Sequence, residues 1–261
     1  MKKTIAIIGL TSFAGLFAIH SQSNQLKSQP LATTQNVDSV KEENNLSNIE
    51  KLYQEIALEG KLKFEAFEMA MNGYENMSFR NKDIISVIDF SLPSTDKRMV
   101  VIDLKNKKVL FHTIVSHGRN SGEKYATSFS NRHGSYQSSL GFYKTANTYQ
   151  GGNGYSLVLD GLEKGINDQA KPRAVVIHGA AYSSQAVIDA TGRLGRSYGC
   201  PALPRELNTP IINTIKDGTM LFIYADNKEY LAQTKVFKKA PTTLIAQKDI
   251  SETTTTQGAL N

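Results

Sequence analysis

The chain contains a single cysteine, Cys200, in the run G-R-S-Y-G-C-P-A-L-P, and His178 lies upstream of it in R-A-V-V-I-H-G. A thiol attacks a carbonyl only as thiolate, so a catalytic cysteine needs a base or a positive charge that lowers its pKa. His178 is the candidate base. The segment around it predicts a short buried strand from Arg173 to His178, with Val175 and Ile177 facing one way, Val176 and His178 the other, and Gly179 ending it. A histidine at such a strand end is held by rigid backbone yet opens toward a loop. Around the nucleophile, Ser197 and Tyr198 precede Gly199, whose missing side chain lets a substrate carbonyl approach the Gly199 and Cys200 N–H groups as an oxyanion hole. Pro201 restricts Cys200 to extended backbone. The plain alternative is that free cysteine behaves as a small buried hydrophobe and that a lone histidine is merely satisfied. Against it stand the glycine-rich setting, the neighbouring arginines Arg193 and Arg196, and the export argument below.

These residues resemble the murein L,D-transpeptidase catalytic domain family, cysteine enzymes that remodel bacterial peptidoglycan. The order of histidine, a gap and then S-x-G-C carries the resemblance. V-I-D-F-S-L-P-S at 87–94, V-I-D-L-K-N-K-K-V-L-F at 101–111 and S-S-L-G-F-Y at 138–143 fit it too. The resemblance implies that Cys200 attacks the L-centre carbonyl of the diamino acid in a tetrapeptide stem, that D-alanine leaves, and that a neighbouring stem's amine resolves the thioester. His178 would shuttle the proton, and Ser197 would orient the loop or substrate. The commoner family pattern has histidine between the serine and glycine and arginine two residues after the cysteine, where this chain has Tyr198 and Ala202. Arg196 or Arg193 is then the expected carboxylate partner. The equal alternative is an arginine that bonds loop carbonyls.

Elements must position this pair. Ile49, Leu52, Tyr53, Ile56 and Ala57 fall at helical spacing, Gly60 reads as a stop, and Phe64, Phe67, Met71 and Tyr74 continue in a second helix, so 48–79 is a helical brace. Strands are predicted over Asp83–Phe90, Arg98–Leu104, Val109–Val115, Leu140–Thr145, Tyr155–Leu159, Arg173–His178 and Thr219–Tyr224, with helices only over Ser184–Thr191 and Asn208–Lys216. The expected fold is mainly β, an L,D-transpeptidase-like β-sandwich or barrel over 80–234, with the short helical pair ahead of it. The loop-rich stretch 116–154 carries His117 and His133, read as solvated loop histidines that are weak candidates for the cleft. His112, inside a hairpin strand, is read as structural.

The N-terminus, 1–23, has Lys2 and Lys3, an apolar run from Ile5 to Ile19 and then His20-Ser21-Gln22-Ser23, which reads as a signal peptide. That run is short for a membrane span, with an uncleaved anchor as the alternative. Export to the periplasm or cell envelope sharpens the cysteine argument. Secreted chains tend to pair their cysteines, and a lone one cannot pair within its own chain. Residues 24–47 read as a flexible linker and 235–261 as a flexible tail. The net charge of +6 suits an anionic wall but is ordinary.

No metal or other cofactor is expected, the expected partners are peptidoglycan stem peptides, and no nucleic acid is. A carboxypeptidase with water as acceptor fits the same Cys–His pair. A non-catalytic wall-binding protein is the alternative from another class.

Overall fold

The computed structural model describes residues 47–237. The expected signal peptide, the linker up to residue 46 and the tail beyond Phe237 lie outside the described residues.

Two helices open the described chain. Helix α1, Asn48–Glu55, starts at a reciprocal cap: the Ser47 hydroxyl accepts from the Glu50 N–H at 3.1 Å, and the Glu50 carboxylate accepts from the Ser47 N–H at 2.6 Å. It ends before the predicted Gly60 stop, because Ala57 turns left-handed at φ 56°. Helix α2, Phe64–Asn76, buries Phe67, Met69, Ala70 and Met71. It approaches the sheet closely at Gly73, where an added Cβ would stand 2.1 Å from the Phe142 ring. Only glycine fits there, and the Phe142 ring stacks on Phe222 at 4.2 Å in turn.

Eight strands form one mixed, half-barrel sheet. They are β1 Ile84–Asp89, β2 Met99–Asp103, β3 Lys108–Thr113, β4 Gly141–Gly151, β5 Gly154–Gly161, β6 Val176–Gly179, β7 Ala202–Leu203 and β8 Met220–Tyr224, and their spatial order is β3-β2-β1-β8-β4-β5-β6-β7. The pairs β1–β8 and β6–β7 are parallel, and the others are antiparallel. Strands β2 and β8 are buried at every position, as near-continuous apolar runs are when both faces are covered. Helix α2 packs on β1 and β8, and α4, Arg205–Ile215, packs on β1, β5 and β6. The remaining helices are α3, Gln185–Thr191, and α5, Lys228–Gln233.

The mainly β reading with a helical pair ahead of it holds, and the differences are local. Strand β4 runs on to Gly151, well past Thr145, because its outer half leaves the core and carries no apolar alternation to read. Strand β7 has two residues and α5 six, each too short for a periodic signal. The predicted strand from Arg173 begins only at Val176. Val236 and Phe237, at the start of the expected tail, pack against the core. No helix among the described residues is long and apolar enough to cross a membrane.

Candidate active site

The sheet brings the two candidate residues to one edge. His178 sits in β6 with Ala202 of β7 as its parallel partner, so Cys200 enters the edge strand two residues before that register point. The Cys200 Sγ accepts from the Val176 N–H at 3.4 Å and lies 3.7 Å from the Ala174 carbonyl. Ala174 reaches that position through a left-handed φ of 56°, a conformation that L-residues seldom hold without surrounding support.

The His178 imidazole is buried, and its Nδ1 stands 3.1 Å from the Gly179 carbonyl. A carbonyl only accepts, so Nδ1 carries the proton and Nε2 keeps its lone pair. Burial holds the imidazole pKa below its ordinary value, against the opposing pull of that carbonyl. Burial also pushes the Cys200 thiol up, and the Val176 N–H, the Arg173 cation and the cysteine's own N–H offset this only in part. The sequence argument expected a lowered thiol pKa. Desolvation outweighs the lowering groups, so the two shifts favour the uncharged form of each group, thiol and imidazole.

Ser197 ties the turn around Cys200 together. Its Oγ accepts from the Gly199 N–H at 3.0 Å and donates to the Cys200 carbonyl at 2.6 Å. The Gly199 N–H is therefore engaged inside the turn, and the Cys200 N–H is the donor beside the sulfur. Gly199 takes φ 122°, and a Cβ there would stand 2.8 Å from the Gln137 carbonyl. Glycine is required for both reasons. Ser138 Oγ donates to the Gly199 carbonyl and accepts from the Gly118 N–H, each at 3.0 Å, which fastens the turn to two neighbouring loops. Tyr198 projects outward at 67% exposure.

Arg196 donates to the carbonyls of Arg119 and Gly122 and pairs with Glu123 at 2.7 Å. Arg193 donates to the Leu194 carbonyl and pairs with the same Glu123 at 2.9 Å. Both have the bonding pattern of loop braces.

Arg173, which sequence reasoning treated only as a strand start, stands close to the Cys200 turn. Its guanidinium donates to the carbonyls of Ser130 and Gln137, each at 2.7 Å, and to the hydroxyls of Ser139 and Ser135. It also lies 3.4 Å from where a Gly199 Cβ would be. Tyr182 is a further neighbour that sequence reasoning missed. Burial, with Cys200 and Tyr198 nearby, pushes its phenol up to about 12, so it stays protonated. The available signal for Arg173 was a charged residue heading an apolar run; Tyr182 had none.

His117 is buried, contrary to the solvated loop histidine expected. Arg98 donates to its Nδ1 at 2.8 Å and its Nε2 faces the Gly122 carbonyl at 3.3 Å. Burial and the Arg98 charge lower its pKa to about 4. His133 is exposed on its loop, and His112 of β3 meets the Lys97 carbonyl at 3.1 Å. Among the described residues no group of three or more His, Cys, Asp or Glu side chains converges as metal ligands do.

With this geometry in view, comparison with known proteins identifies the class. The profile of the L,D-transpeptidase catalytic domain matches residues 58–224, and the chain belongs to that family. Similar solved structures include an L,D-transpeptidase from Mycobacterium smegmatis, 13% identical over 55% of this chain and 59% of that one, with a TM-score of 0.35. The helical cell shape determining protein of Campylobacter jejuni is 17% identical over 63% of this chain and 55% of that one, with a TM-score of 0.39. A mutant L,D-transpeptidase of Enterococcus faecium is 14% identical over 54% of this chain and 50% of that one, with a TM-score of 0.34. The chain thus spans between half and three-fifths of these relatives' lengths. No curated protein matches.

Proposed function

We propose that the chain is a cysteine peptidyl transferase of the cell envelope that acts on the tetrapeptide stems of peptidoglycan. The observation that carries the reading is the parallel register of His178 with Ala202, two residues past Cys200, together with the Nδ1–H of His178 on the Gly179 carbonyl, which leaves Nε2 as the nitrogen with the lone pair.

In the first half-reaction Nε2 takes the thiol proton as Sγ bonds to the carbonyl carbon of the diamino acid's L-centre. The tetrahedral oxyanion faces the Cys200 N–H. The carbon–nitrogen bond to D-alanine then breaks, and the imidazolium returns the proton to the leaving amine. In the second half-reaction an amine of a neighbouring stem loses its proton to Nε2, attacks the thioester and forms the cross-link, and Sγ leaves and regains its proton. Because the two shifts favour the uncharged form of each group, His178 acts as a general base during attack and not as the partner of a preformed thiolate. Ser197 and Gly199 act on the shape of the turn.

The test is mass analysis of muropeptides incubated with the protein. Wild type is expected to release D-alanine and give cross-linked dimers, while Cys200→Ala gives neither and keeps its fold. His178→Ala should be nearly as damaging, since the two residues act as a unit. Tripeptides without dimers would indicate water as acceptor, and D-alanine release by Cys200→Ala would refute the assignment. A carbapenem-type β-lactam should add one inhibitor mass to wild type and none to Cys200→Ala. An unmodified wild type would favour the non-catalytic reading.

A further inference from the structure

The arginines around the nucleophile turn divide into those with acceptors and one without. Arg173 serves four oxygens, and Arg193 and Arg196 share Glu123. Arg119 is on the same rim, with its backbone N–H on the Ser197 carbonyl at 2.7 Å. Among the described residues its guanidinium has no hydrogen bond or ion pair. Instead it lies 5.7 Å from the centroid of the Tyr198 ring, which in turn meets the Tyr136 ring at 4.9 Å.

This cluster is built, not incidental. Tyr198 and Tyr136 are 67% and 45% exposed, among four large apolar side chains so exposed in the described chain. The loops that carry them are joined by backbone: the Asn120 N–H donates to the Tyr136 carbonyl at 3.2 Å, and Gly118 bridges Ser197. Gly118 makes that approach feasible, since a Cβ there would stand 2.5 Å from the Tyr136 carbonyl and 2.9 Å from the Gly199 Cα. Holding a guanidinium over an aromatic ring lowers the entropy that a flexible arginine loses on binding and leaves its N–H fork for a ligand.

We infer that Arg119, supported by Tyr198 and Tyr136, binds a carboxylate of the peptide substrate at the rim of the Cys200 site. A planar set of donors without an acceptor selects a carboxylate over a neutral amide or a sugar hydroxyl. The inference rests on the peptide-stem reading of the site. It assigns to Arg119 the task that chain position alone would give to Arg196 or Arg193, both of which already pair with Glu123 and donate to loop carbonyls. It also gives Tyr198 a role as the support of a cation, two residues before the nucleophile.

The test uses the full chain carrying Cys200→Ser, so that peptides bind without being consumed. Two ligands are titrated by calorimetry: the tetrapeptide stem, and the same peptide with every carboxylate converted to carboxamide. Arg119→Gln is expected to raise Kd for the carboxylate form by roughly three- to fivefold, the upper range for an exposed ion pair, and to leave Kd for the carboxamide form unchanged. Arg132→Gln, which removes the same charge from an exposed loop position, should change neither. Equal losses in the two variants, equal losses for the two ligands, or no loss in Arg119→Gln would each overturn the inference, as would failure of either peptide to bind at millimolar concentration. Failure of the transfer reading is seen separately, as wild type that binds stems but releases no D-alanine.

Discussion

Arg173→Met tests the claim that the turn ahead of β6 is organised by one cation. Methionine keeps much of the side chain's length and apolar contact while removing the charge and every donor. The structure gives four bonds to account for: the carbonyls of Ser130 and Gln137 at 2.7 Å and the hydroxyls of Ser139 and Ser135 at 3.2 and 3.3 Å. The two hydroxyls can turn to other partners, so the short carbonyl bonds dominate. A hydrogen bond to a charged donor contributes about 1.5–3 kcal/mol, and the half-buried setting places two of them at roughly 2–4 kcal/mol together. Arg173→Lys keeps the charge but offers one compact donor group that cannot span both carbonyls, and should lose about half of that.

The cation also faces the sulfur. It lowers the thiol pKa against the larger effect of burial, so its removal raises that pKa further. Two assays separate the roles. Urea unfolding reports the bonds, and the pH dependence of Cys200 alkylation reports the charge. Arg173→Met is expected to lose stability and to move the alkylation profile to higher pH, while Arg173→Lys loses stability with a smaller movement. An alkylation profile in Arg173→Met that superimposes on wild type would refute the electrostatic part. A stability loss under about 1 kcal/mol would refute the bonding part.

Gly199→Ala should destabilise the chain by about 1–3 kcal/mol through its φ of 122° alone. Its Cβ also displaces the Gln137 carbonyl that Arg173 holds, so the variant should lose carbapenem labelling even where it is fully folded, and wild-type labelling would refute the requirement for glycine. His117 adds a pH dependence. Its pKa is near 6.5 when unfolded and about 4 when folded, so between these values the unfolded chain binds more protons. The neutral-histidine contribution is complete above about pH 6.5 and is lost as pH falls toward 4, on a scale of roughly 3 kcal/mol at most. His178 acts in the same direction, so the readout is the difference between wild type and His117→Gln in unfolding free energy across that window, and parallel curves would refute the assignment.

The strands that build the sheet core were legible because each is a short run dominated by apolar and β-branched or aromatic residues, and β1, β2 and β8 fall within one residue of their predicted ends. Cys200 and His178 stood out in the sequence because one cysteine and the glycine-rich turn mark the first and a strand end marks the second, and the β6–β7 register sets His178 opposite Ala202, two residues past the cysteine. Their surroundings did not. Arg193 and Arg196 drew attention because they are near Cys200 in sequence, yet Glu123, far away in the chain, takes both. Arg173, just ahead of β6, and Ser138, in the loop before β4, reach the turn around Cys200 from distant parts of the chain, contacts that depend on strand order and not on spacing. His117 looked solvated because its loop is polar, and nothing local signals that the buried Arg98 lies under it.

The shifts at Cys200 and His178 bear on how the thiol meets reagents. A thiolate is the form that oxidises and alkylates, and its fraction is set by the balance of burial against nearby donors and cations. Here burial outweighs the Val176 N–H and Arg173, so Cys200 is held as thiol, and the same burial keeps His178 neutral with an available lone pair. Both shifts lower the share of the charged form, which for the thiol is the reactive one. In the proposed mechanism the combination becomes reactive when a carbonyl occupies the space over the sulfur, because the proton would then move to Nε2 as the new bond forms. A site arranged this way should show slow alkylation by a small neutral reagent and faster acylation by a strained lactam. The lactam presents an acyl carbon and an oxyanion to the Cys200 N–H, whereas the alkylating reagent presents neither.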